Sequence, residues 1–276
     1  MISLCIKENN SKIIDYIVSE VKKCKISEIY YSTHSFRIYD NVILHYKGEN
    51  FDDFFNFVAN TLANLILIFY EPVLVKKILN LNYFYFSIDD KNVIYEEYNM
   101  LNKKNKKTAN IKLILKPLKE YLQSNKSIVI EGFVNFRLQN YIHRLDLLVE
   151  QSVNQFIVDK EYIEFVNLLK NYVSSKVPDD SVVNLIYVNS EGILLSDDGK
   201  IIDLEKFDSR YLSDVSFSNN DYVLNTLVGL LPSKIILHLI SPRDQFIKTV
   251  ELIFEKKVEL CTGCELCNAY NLLNLR

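Results

Sequence analysis

Near Pro178 the hydrophobic periodicity of this 276-residue chain changes, and that change limits the fold more than any other feature. Before it, from about Phe51 to Val173, apolar residues recur mainly at helical spacing. After it, short apolar runs bounded by turn residues alternate with helical stretches. A chain that does both must carry helices and a sheet, so the expected class is α+β.

Three regions are expected: a small N-terminal α/β unit (1–50), a helical region (51–178) and a C-terminal α/β domain (179–276). The first reads β-α-β-β: a strand Ile2 to Ile6, a helix from about Asn10 to Lys23, then strands Ile29 to Ser32 and Phe36 to His45, broken near Asp40-Asn41. Ile13, Ile14, Ile17 and Val21 give the helix its apolar face. The helical region has expected breaks near Pro72, Asp89-Asp90, Pro117 and Asn125. The polar run Asn102 to Lys107 reads as an exposed loop or linker. The strongest helical signal runs from Glu131 to Phe156, with Val134, Leu138, Tyr141, Leu145 and Leu148 in one stripe. A second helix, Glu161 to Val173, follows a short link at Val158 to Lys160, which predicts antiparallel packing of the pair.

The C-terminal domain reads β-β-β-α-β-α-β. Its strands are Val182 to Val188, Ile193 to Leu195, Lys200 to Asp203, Lys234 to Ile240 and Lys257 to Leu260. Asp198-Gly199 marks a hairpin turn. Helices are expected over Tyr222 to Leu231 and from Ser241-Pro242, as N-cap and first turn, to Phe254. A right-handed crossover would set Lys257–Leu260 parallel to Lys234–Ile240, adjacent to it or one strand away.

The strongest chemical feature is the ending Cys261-Thr-Gly-Cys264-Glu-Leu-Cys267, a CxxCxxC cluster. Thiolates are soft ligands for Zn, Cu(I) and iron–sulfur clusters. On one straight helix Cys261 would point away from Cys267, so the motif must bend. Gly263 offers the bend, between a strand ending at Leu260 and a short helix through CELCNAYNLL. The helix N-terminus would then lower the pKa values of Cys261 and Cys264. A bacterial ferredoxin run would place its fourth Cys at position 271, which is Asn271. The remaining candidates for a fourth ligand are His238, Cys5 and Cys24. His238 sits in the strand expected near Lys257–Leu260; the plainer alternative is a core histidine hydrogen-bonded to backbone. Metal ligands are therefore expected at Cys261, Cys264, Cys267 and His238, with Zn the plainest metal and an iron–sulfur cluster the alternative.

Composition sets outer limits. A chain this long builds a core without a metal or disulfide. Six Gly and a net charge of −3 argue against Gly-rich phosphate loops and a globally basic nucleic-acid binder. Five Cys without a secretion signal suggest a reducing compartment. The apolar stretch Phe57 to Val75 is interrupted by Asn60, Asn64 and Glu71-Pro72, and reads as a buried amphipathic helix rather than a membrane span.

Weaker signals point to solvated surface. Arg137 and Arg144, with His143 and Asp146, share a helix flank that could bind an anion but reads better as an exposed face. Lys103, Lys104, Lys106 and Lys107 lack an aromatic platform for nucleic acid. Gly192 to Lys200 has the wrong spacing for a P-loop. The Asp pairs at 52-53, 89-90, 179-180 and 197-198 read as turns and caps. No catalytic constellation is recognisable.

Three passages resemble the YtxC-like family, sporulation-associated proteins of endospore-forming Firmicutes. They are Glu131 to Val173 (EGFVNFRLQNYIHRL through NLLKNYV), Ser233 to Leu239 (SKIILHL) and Val258 to Cys267 (VELCTGCELC). Their order and spacing also fit, over residues 131–267. The resemblance implies a bacterial cytoplasmic protein with no established activity. The expected function is a sporulation-associated, non-catalytic metal-binding protein that acts on a protein partner, with neither a membrane span nor nucleic acid. The alternatives are a thiol-redox or iron–sulfur enzyme, or an α/β transferase.

Overall fold

A computed structural model describes residues 1–104, 107–204 and 217–274. Its contacts divide the chain into two units, Met1–Val158 and Asp159–Arg276. The mixed helix-and-strand class agrees with the α+β expectation.

The first unit is built on a four-stranded sheet of order β2-β3-β1-β4: β1 (Ile2–Glu8), β2 (Ile29–Ser35), β3 (Asp40–Tyr46) and β4 (Ser127–Val129). β1 is antiparallel to β3 and parallel to β4. Alternation places Leu4, Ile6, Val42 and Leu44 in the core. Ile13, Ile17 and Val21 of α1 (Ser11–Lys23) are buried in the same core, and Asn10 caps that helix by accepting from the Lys12 N–H. The turn between β2 and β3 lies at 36–39, where the second strand was expected to begin, and β3 runs unbroken through Asp40-Asn41; the Phe36 N–H donates to the Tyr39 carbonyl.

The helices after β3 share this core, so residues 1–158 form one packed unit. They are α2 (Phe51–Leu65), a π-helical turn (Ile66–Tyr70), α3 (Glu71–Asn82), α4 (Ile88–Lys104), α5 (Lys107–Ser124), α6 (Ile130–Arg137) and α7 (Gln139–Ser175). Residues Phe51–Asn82 form the one helical run among the described residues long and apolar enough to cross a membrane, and half of its most apolar window is buried.

Several expectations change here. The run Asn102 to Lys107 is mostly helical, with α4 reaching Lys104 and α5 starting at Lys107; residues 105–106 lie outside the described residues. α5 passes through Pro117 without a break. β4 was not foreseen, because three residues carry too little periodicity to read. The 131–156 helix divides at Leu138 into α6 and α7, yet Val134, Leu138, Tyr141, Leu145 and Leu148 are all buried as expected. α7 runs unbroken through 158–160, so the expected antiparallel pair does not form. Val-Asp-Lys contains no Gly or Pro to stop a helix.

The second unit carries a four-stranded sheet of order β6-β5-β7-β8: β5 (Asp179–Val188), β6 (Glu191–Ser196), β7 (Pro232–Leu239) and β8 (Val258–Leu260). β5 and β6 form a hairpin through Asn189 and Ser190, both at positive φ (52° and 64°), as a two-residue hairpin turn demands. β7 is parallel to β5 and to β8, which lies adjacent to it. The expected third strand reduces to an isolated bridge, Leu195 with Ile201, beyond the turn that Gly199 makes at φ 78°.

Helices α8 (Asn219–Leu230) and α9 (Gln245–Phe254) connect the strands, and α10 (Glu265–Asn274) ends the fold. α9 begins three residues later than expected. Asp244 caps it by accepting from the Ile247 N–H, whereas Ser241 accepts from the Asn189 N–H. On one face of the sheet Val183, Leu185, Ile235 and Leu237 join Val223, Leu227, Ile247 and Val250 in the core. The opposite face, by the two-residue period of a strand, carries Asn184, Ile186 and His238.

Candidate metal centre

The strand register brings the ligand-type residues of the second unit together. β7 and β8 pair Leu237 with Leu260, and the Cys261 N–H donates to the Leu237 carbonyl at 2.9 Å. One further step along both strands puts Cys261 beside His238. The chain then turns at Gly263, whose φ of 125° disfavours any L side chain, and enters α10. Cys264 and Cys267 follow at helical spacing three apart, on the same face. The bend, the strand end and the short helix agree with the sequence reading.

Sulfur–sulfur distances are 3.8 Å from Cys264 to Cys267 and 3.8 Å from Cys267 to Cys261. His238 Nδ1 lies 3.4 Å from both Cys264 Sγ and Cys267 Sγ. All four ligand atoms fall within 4.8 Å of one another, so His238, Cys261, Cys264 and Cys267 could hold a metal ion. All five cysteines are free thiols. Cys5 stands in β1 and Cys24 at the end of α1, both in the first unit; of the three residues considered as fourth ligand, His238 is the one that joins the cluster.

His238 is buried to 3% exposure, yet it is not the backbone-bonded core histidine that was the plainer alternative. Its Nε2 meets Asn184 Oδ1 at 3.0 Å. Asn184 Nδ2 donates in turn to the Ser196 carbonyl, which assigns Oδ1 as the acceptor facing the ring. Nε2 therefore carries the proton, and Nδ1 presents its lone pair to the thiols. Burial also holds the imidazole pKa below its ordinary value, which favours this neutral form. Such an outer partner fixes the tautomer of a metal-ligating histidine. Asn184 escaped the sequence reading, although a polar residue inside the apolar run Val-Val-Asn-Leu-Ile was the available signal.

The thiols differ. The Cys264 pKa is lowered, chiefly by the backbone N–H of Cys267. Burial pushes the Cys267 thiol up to about 11, and hydrogen bonds with its two neighbours add to the rise. α10 packs beside β5 and β7, on the unit that holds His238.

The other sequence signals stay peripheral. Arg137 and Arg144 fall on separate helices, α6 and α7, because of the break at Leu138. Asp198 pairs with Lys200 at 2.7 Å across the Gly199 turn, as a β-turn rather than a phosphate loop. Asp52-Asp53 and Asp89-Asp90 lie in the first turns of α2 and α4, whereas Asp179-Asp180 open β5.

No solved structure matches this chain significantly. A curated relative, "Uncharacterized protein YtxC" of Bacillus subtilis (strain 168), is 25% identical over 134 residues, 48% of this chain and 47% of the relative. The match thus spans about half the length of that relative. The model of the YtxC-like family matches residues 56–259, which begins well before the resembling passages and stops two residues short of Cys261. That span covers more than half of the chain, which therefore belongs to the YtxC-like family.

Proposed function

We propose that His238, Cys261, Cys264 and Cys267 bind one zinc ion, and that the chain serves sporulation in the cytoplasm as a non-catalytic protein acting on a protein partner. The observation that carries the metal reading is the size of the ligand cage. A tetrahedral zinc with Zn–S of about 2.3 Å and Zn–N of about 2.0–2.1 Å has S···S edges of about 3.8 Å and S···N edges of about 3.5 Å. Two of the three S···S distances are 3.8 Å, and two of the three S···N distances are 3.4 Å. A [4Fe–4S] cluster binds each cysteine to a different iron and would hold the sulfurs further apart.

Four protein ligands leave no open position, which is the pattern of structural zinc. Zinc here would tie α10 to the sheet face opposite the main core. The core of the second unit is closed by other helices, so the metal secures a tail instead of creating the fold. The sporulation and cytoplasmic parts of the reading rest on the family and on the free thiols.

Metal content of the anaerobically purified chain tests this. The expected result is one zinc per chain, lost on Cys264→Ser with Cys267→Ser while both units stay folded. A metal-free chain whose unfolding is unchanged by replacing all three cysteines would sink it. One zinc-free chain with a visible band near 400 nm would instead favour the iron–sulfur alternative.

A further inference from the structure

The first unit contains a second site with no link to the metal centre. Glu71, at the start of α3, is 9% exposed and lines a cavity of about 220 Å³. Tyr141 donates to its Oε2 at 2.5 Å and Asn102 donates to its Oε1 at 2.8 Å. Asn110 donates to Asn102 Oδ1 at 2.9 Å and completes a chain of amides. Tyr98 bonds to the same carboxylate, so three donors occupy it and leave about one of its roughly four acceptor positions open. Among the described residues Glu71 forms no ion pair. A buried carboxylate without a cation is costly to keep in a protein interior.

The backbone beside it is also unusual. Helix winding relaxes to a π turn over Ile66–Tyr70, where the Glu71 N–H reaches the Ile66 carbonyl. Pro72 then has no N–H to offer the Ile68 carbonyl four residues earlier. Ile68 and Pro72 both line the cavity. Single π turns inside helices recur at functional sites.

The cavity has two kinds of wall and two charges. Leu67, Ile68, Pro72 and the Tyr95 ring supply apolar surface. Glu71 supplies a negative charge and Lys103 a positive one, and the two are not within ion-pair distance of each other. The volume is below the roughly 300–1,000 Å³ of drug-sized pockets but many times what one water needs. A ligand that fits is small, partly apolar and oppositely charged at two points.

We propose that this cavity binds an apolar α-amino acid, its ammonium group on Glu71, its carboxylate towards Lys103 and its side chain against Leu67, Ile68 and Tyr95. The lone carboxylate selects the ammonium group, and the lysine discriminates against a plain amine. The proposal goes beyond the metal reading and is independent of it.

Isothermal titration calorimetry on the full chain tests it with leucine, phenylalanine, isoamylamine (leucine without its carboxylate) and isocaproate (leucine without its amine). Leucine or phenylalanine is expected to bind at millimolar concentration or below, with isoamylamine and isocaproate each at least about 10-fold weaker. Glu71→Gln is expected to abolish amino-acid binding. Should that variant fail to fold, the exposed Lys103→Ala is the second test: it should bring leucine down to the level of isoamylamine. No binding of either amino acid overturns the proposal. So does isoamylamine binding as well as leucine, or leucine binding left unchanged by Lys103→Ala.

Discussion

His238 and Glu71 are both polar groups in apolar surroundings, and the two units accommodate them differently. His238 is neutral, held by one amide from its own sheet, with its free lone pair directed at the thiols of Cys264 and Cys267. Glu71 accepts from two tyrosines and an amide on other helices and lines a cavity. One group is arranged to meet a cation among permanent protein ligands. The other lies beside a cavity, bonded by donors from other helices. A buried polar group thus marks a site only when some of its bonding capacity is left directed at a common point.

The comparison can be broken most severely at Tyr141. Tyr141→Phe withdraws the donor to a buried carboxylate, and such bonds to charged groups contribute about 1.5–3 kcal/mol. The first unit should unfold that much more easily in urea, while metal content is unchanged. Adding Glu71→Leu to that variant should recover part of the loss, because no buried charge then remains. Equal losses in both variants would mean that the carboxylate is not the costly group.

Asn184→Ala is the matching change in the second unit. It removes the orienting bond to Nε2, and losses of such partners lower metal affinity about 10–100-fold. Competition with a chelator would measure this, and an unaltered affinity would show that the tautomer is fixed otherwise. Gly263→Ala should cost about 1–2 kcal/mol, because a side chain is strained at positive φ. Nothing lies within 4 Å of the position its Cβ would take, so the loss would come from the backbone alone. Gly199→Ala, equally uncrowded and also at positive φ, is the control: it should destabilise without affecting metal binding.

The smallest expected effect is an acid one. Burial pushes the Asp244 carboxyl up, but bonds from Tyr187 and from backbone N–H groups at the start of α9 outweigh it, and its pKa is lowered. A folded pKa below the unfolded value adds stability that is present above the unfolded pKa, near 4, and lost as pH falls through the folded one. The second unit should weaken over that acid range, and Asp244→Asn should flatten the dependence. An unchanged pH profile in the variant would remove Asp244 as the cause.

Much of this molecule was readable before its structure. The helical stripe Val134 to Leu148 is buried throughout, because a 3.6-residue period repeated over four turns has one structural meaning. The cysteine bend was readable because three thiols at that spacing converge only if the helix is interrupted, and Gly263 was the residue able to do it. What escaped depends on partners remote in sequence. β4 exists because β1 offers it an edge, and Ser127–Val129 alone carries no period. Asn184 and Glu71 each interrupt an apolar run, but only packing shows what they face. The expected turn at 158–160 failed for the opposite reason: a short link between two apolar patterns suggested two helices, while local chemistry favoured one.

β8 has only three residues and closes the outer side of a sheet whose next strand, β7, has eight. A long bare margin of unpaired N–H and C=O groups is a template on which another chain can add a strand and begin to aggregate. Here the margin is short, and the chain leaves it at once through the Cys261–Gly263 bend. The bend that gathers the thiols therefore also keeps this edge short, and a chain stripped of its cysteines should be judged by its solubility as well as by its metal.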